Sequence, residues 1–229
     1  IAMREASFSF GQGDFVRLRN IYRRVFRMTL MASGCLAVYM ALQAPTIIAL
    51  FLKSKYSGAE HVAMIMAFYP IFAGIEALNS SFFYGTEQVK TYRNIAILMM
   101  GVGIAITYVF VAPANFLIPG LGLAGAGVAC KFLLAGVLIV IAETFFIAQF
   151  LELRPLEFVK DFISALLPFA CLGAGASVCS KGMAPGMLFE LVLFSGIYFG
   201  AAPLLIQWDP DRFGLSRDDV NWRKYLRHP

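Results

Sequence analysis

Apolar residues along this chain gather into six long runs, at 29–52, 61–84, 94–113, 121–145, 161–180 and 186–207, and most charged residues fall in the gaps between them. Each run is long enough to cross a hydrocarbon slab of ~30 Å, because ~20 helical residues at 1.5 Å rise cover that distance while a helix satisfies its own backbone polar groups. The pattern predicts an all-α integral membrane protein with about six transmembrane helices. The five connections, at 53–60, 85–93, 114–120, 147–160 and 181–185, are too short to hold a domain outside the membrane and make sequence neighbours antiparallel. Pro45, Pro70, Pro168 and Pro203 lie inside the runs. Neighbouring helices can satisfy the carbonyls a proline frees in lipid, so kinked helices are expected.

The stretch 13–28, ahead of the first run, has a different character. Asp14 stands where an N-cap would, Phe15, Leu18, Tyr22 and Val25 recur at helical spacing, and Arg17, Arg23, Arg24 and Arg27 fall on other faces. This predicts an amphipathic cytoplasmic helix lying in the interface, with its arginines toward anionic headgroups and its aromatics toward the acyl boundary. A soluble linker helix is the plainer alternative.

Composition narrows the class. With 59% hydrophobic and 14% charged residues and a mean hydropathy of +0.73, the chain has too few charges to dress a soluble particle, which carries ~25%. The net charge of +5 does not point to nucleic acid, because the cations segregate by alternate loops: fifteen Lys and Arg on one side against Lys53, Lys55 and Lys181 on the other, with Lys131 left inside a run. Positive residues stay inside, so residues 1–28 and the tail 208–229 are expected in the cytoplasm. Cys35, Cys130, Cys171 and Cys179 sit inside runs without ligand-like spacing, so neither a disulfide nor a metal site is expected. His61 and His228 lie at a boundary and in the tail with no catalytic constellation beside them, and no cofactor is expected. Trp208 and Trp222 read as interface anchors. An Arg-rich segment precedes a first run too long for a signal core. With Ile at position 1, the chain reads as the C-terminal part of a longer protein.

Several ordered features carry a resemblance. Residues 3–13 (MREASFSFGQG) followed by Asp14, Pro45 with LFLKSKY at 50–56, the hairpin from Ala77 to the Lys90 loop, and the turn LIPGLGLAGAGVA at 117–129 together resemble the C-terminal part of the multidrug/oligosaccharidyl-lipid/polysaccharide flippase superfamily. They are most similar to the branch that serves bacterial O-antigen and exopolysaccharide synthesis. The resemblance implies twelve or fourteen helices in two six-helix lobes around a cavity of alternating access, in a bacterial inner membrane. The N-terminal lobe is the expected partner, and an isoprenoid-diphosphate-linked oligosaccharide the expected substrate.

Ionisable groups inside a membrane cost ~2.5–3.5 kcal/mol at helix centre and face a protein interior or a wet cavity. Lys131, about ten residues into its run, is the first candidate, as an anion site for the diphosphate or acidic sugars; pairing with Glu76 or snorkelling is the alternative. Glu76, with Asn79 and Ser80 at helical spacing on one face, is a candidate coupling carboxylate or an interhelical hydrogen-bonding group. Glu143 reads as interfacial, and twelve residues from Lys131 it lies about 120° around the helix. Gly122, Gly125, Ala126 and Ala129 read as a packing face rather than a phosphate cradle. The expected function is transport, not catalysis: translocation of lipid-linked oligosaccharide. A cation-coupled multidrug exporter is the nearest competitor. A membrane-embedded glycan polymerase or acyltransferase would need an outer catalytic cluster that these short loops do not offer.

Overall fold

The computed structural model describes residues 2–52, 58–112, 124–183 and 186–215, which are helical with no strand. Lys53, Lys55, Tyr56, most of the Gly-rich turn including Gly122, and Trp222 and His228 of the tail lie outside the described residues. The helices are α1 (Ala2–Gly11), α2 (Phe15–Leu52), α3 (Ala59–Met66), α4 (Tyr69–Gly85), α5 (Val89–Val111), α6 (Ala124–Phe150), α7 (Pro155–Met183) and α8 (Met187–Trp208), followed by a 3-10 turn, Pro210–Phe213. Six spans are long and apolar enough to cross a membrane, with α3 and α4 together forming the second. That break falls where the sequence dictates: Pro70 has no N–H, and its ring clashes with the carbonyl of Met66, the last residue of α3. Pro45, Pro168 and Pro203 lie within continuous helices.

The largest departure from the sequence reading concerns 13–28. No separate interfacial helix exists; the stretch is the first third of α2, whose 38 residues extend about 57 Å at 1.5 Å per residue. The middle of its apolar stripe, Leu18 and Tyr22, is buried in protein together with the neighbouring Phe26, while Phe15 stays exposed and Val25 half-buried. Leu18, Tyr22 and Phe26 are covered because Gly13, at φ 71°, reverses the chain and lays α1 against both α2 and α4. From the other side, the Phe158 ring of α7 packs edge-on against Tyr22 and Phe26. An apolar stripe can be satisfied by lipid or by protein, and here α1 and α7 supply the cover. Asp14 does cap α2, accepting the Arg17 backbone N–H at 2.9 Å.

Helix α2 is the hub, touching α1, α3, α4, α7 and α8. Glycines set its approach to α7. A Cβ on Gly34 would lie 2.7 Å from the Leu166 Cδ2, and one on Gly173 would meet the Leu42 Cδ1, so these small residues leave room for leucine side chains of the facing helix. Gly136 does the same for α6 against Phe72 of α4, at 3.2 Å. Of the expected packing face, Ala129 is buried, whereas Gly125 has no neighbour within 4 Å. Tyr39, Phe194 and Tyr198 form an aromatic seam between α2 and α8, and the Tyr198 hydroxyl donates to the Cys35 carbonyl at 2.9 Å.

At one end of the bundle the 3-10 turn folds back on α2. Arg27 Nη1 donates to the Asp211 carbonyl at 3.3 Å, which places the start of α2 and the end of α8 on the same side, as six crossings require. We call this the basic end. Gly214 closes the contact with φ 74°, and a Cβ there would meet the Arg24 carbonyl at 2.6 Å.

Candidate functional site

Helices α2, α4 and α6 meet about 10 Å from the basic end, counting seven residues from Glu143 to the end of α6 and six from Asn79 to the end of α4. The Tyr22 hydroxyl donates to Asn79 Oδ1 at 2.7 Å. Asn79 Nδ2 in turn donates to Glu143 Oε2 at 3.1 Å and lies 3.4 Å from Thr144 Oγ1. One amide thus joins three helices. All four side chains are buried, Asn79 and Glu143 to 0% exposure. Phe82 and Phe158 pack edge-on against the Tyr22 ring, and Ile75, Leu78, Val140 and Ile147 belong to the same core. Buried polar groups are expected to be hydrogen-bonded, since leaving one unpaired costs ~1–3 kcal/mol and more for a charge. Glu143 Oε1 breaks that rule: it is buried with no partner. A carboxylate with one oxygen held and one free can take a proton or a small cation.

The expectation of an interfacial Glu143 is therefore corrected. Its depth along α6 is near the end, but its side chain turns into the bundle. The buried face of α6 runs through Ala129, Gly136, Val140, Glu143 and Ile147, a 3.6-residue period that sweeps Glu143 inward. Asn79 is the member of the site that the sequence singled out. Glu76, one turn earlier on α4, is half-buried at the margin. It lies within electrostatic reach of Glu143, and the Tyr92 hydroxyl of α5 approaches Ser80 beside it. Lys131 stands apart, twelve residues before Glu143 and so about 120° around α6 from it. Its Nζ lies 4.3 Å from the Phe132 ring centroid, and among the described residues it forms no ion pair with Glu76 or any other carboxylate.

A second polar system lies on the flank of α2 facing α7. Arg19 meets Glu152 at 3.7 Å, Arg23 meets Glu157 at 2.8 Å and Arg27 meets Asp161 at 2.9 Å. Partner numbers rise together, so α2 and α7 run parallel. Sequence reasoning read Arg23 and Arg27 as facing lipid headgroups and missed the ladder. The signal was present in the four-residue spacing of Arg19, Arg23 and Arg27, echoed by Glu157 and Asp161.

Comparison with known proteins bears on what such a bundle does. Residues 5–109, a stretch that runs from α1 into α5, match the MatE family model. No curated protein and no solved structure matches the chain.

Proposed function

We propose that this chain is part of a membrane transporter that moves an isoprenoid-diphosphate-linked oligosaccharide from the cytoplasmic to the outer leaflet of a bacterial inner membrane, its basic end facing the cytoplasm and an N-terminal lobe completing the cavity. The MatE match carries the reading, because members of that family are transporters, and it takes in α2 and α4, two of the three helices that build the polar junction. The fifteen-to-three division of Lys and Arg supports the orientation. Lys131 supports an anionic cargo: it is a point charge on a membrane helix without a carboxylate partner among the described residues, free to meet a phosphate. Alternating access then requires one lobe to rock against the other.

One observation favours a second reading. The free Oε1 of buried Glu143, with Glu76 nearby, suits the coupling site of a cation-driven multidrug exporter. Full-length protein in proteoliposomes separates the two. The flippase moves a prenyl-diphosphate saccharide to a lectin-accessible leaflet. Lys131→Ala abolishes that movement at normal protein abundance, and Lys131→Arg restores part of it. Movement undiminished in Lys131→Ala removes Lys131 from the site. Uptake of a cationic dye that needs Glu143 and an ion gradient, without movement of the saccharide, makes the exporter the answer.

A further inference from the structure

Helices α6 and α7 are consecutive in the chain yet barely touch, because α6 packs on α3, α4 and α5 while α7 packs on α2 and α8. Between them lies a half-open groove of about 390 Å³ that runs along α6 from Val137 to Phe145, roughly 12 Å at 1.5 Å per residue. Its floor includes the buried Phe26, Val140 and Phe158, and its rim the exposed Ile141 and Val159. Thr144 is the one hydroxyl in the lining, and it is the residue that Asn79 links to Glu143. At the basic end the groove opens beside Pro155. There Arg154 is exposed and outside the ion-pair ladder among the described residues.

We propose that this groove seats the isoprenoid chain of the cargo, with its phosphate toward Arg154. The inference rests on the flippase reading above and names where that substrate's tail is held. Charge complementarity supports the direction, since at its basic end the apolar trough lies beside the exposed Arg154, which can meet an anionic head. The rings lining the trough suit an unsaturated, methyl-branched chain. Because Thr144 forms part of the wall, the seated chain also covers the outer side of the polar junction and excludes water from Glu143.

The test uses the full-length protein in nanodiscs with two photoreactive probes, a polyprenyl phosphate and a phosphatidylglycerol, each with a diazirine at the chain end and adducts mapped by mass spectrometry. The prenyl probe is expected to label 137–145 and 155–162 roughly ten-fold more than the acyl probe, and Val159→Trp, which fills the trough from its exposed rim, to reduce that labelling by about as much. Ile141→Trp provides a second filling variant should the first fail to fold. Equal labelling by both probes makes the groove ordinary bilayer contact and overturns the proposal, as does labelling undiminished in the Trp variants or absent from both segments. Proteoliposomes keep the two readings apart. Prenyl labelling in the groove without saccharide movement retains the groove and removes the flippase; saccharide movement at an unchanged rate in the Val159→Trp protein removes the groove and retains the flippase.

Discussion

The first third of α2 carries two polar systems a residue apart, and they obey different energetics. On one flank Arg19, Arg23 and Arg27 pair with acids of α7 and the loop before it; on another Tyr22 joins Asn79 and Glu143. The ladder grades from open to closed. Glu152 is 88% exposed, so water competes for the Arg19 rung at 3.7 Å, whereas Asp161 is 10% exposed and holds Arg27 at 2.9 Å. Exposed ion pairs contribute ~0–1 kcal/mol because solvent offers each partner nearly the same stabilisation. The junction has no such alternative. Removing one buried member leaves the others desolvated and unpaired, so its cost is that of an orphaned group rather than of a lost contact. The ladder positions α7 beside α2 and tolerates loss at its outer rung, while the junction makes α2, α4 and α6 depend on one amide.

The most severe way to break this contrast is Asn79→Leu, which deprives Tyr22 of its acceptor and Glu143 of its donor together. It should lower stability by about 2–3 kcal/mol, read as a loss of membrane abundance and a fall in the unfolding temperature in detergent. A variant as stable as the parent means the junction is dispensable. Next comes Arg27→Ala, which leaves Asp161 largely buried without its guanidinium. A cost of about 1–2 kcal/mol is expected, and the double change with Asp161→Ala should recover part of it in a double-mutant cycle. Smallest is Arg19→Ala, expected to change stability by under ~0.5 kcal/mol and to shrink further with added salt. If Arg19→Ala matched Arg27→Ala, burial would not be what grades the ladder.

Sequence alone determined the class of this protein and its six crossings, because bilayer thickness translates directly into run length and a run of apolar residues has no other solvent to choose. The Asp14 cap was equally legible, being a local hydrogen bond within one turn. Which surface covers an apolar stripe is not local, and so Leu18 and Tyr22 read as lipid-facing until α1 folded over them from Gly13 and Phe158 arrived from 136 residues beyond Tyr22. The candidate site shows the same division. Asn79 could be singled out as a polar residue on an apolar helix, but its partners come from α2 and α6. Glu143 was placed correctly along its helix and incorrectly around it, because depth follows from counting residues whereas facing depends on which neighbours pack. Only the tertiary structure decided that one carboxylate of α6 turns inward to Asn79 while Lys131, twelve residues earlier, turns away. The helical period fixes the angle between those two side chains, and the packing of α4 against Gly136 fixes which of them is buried.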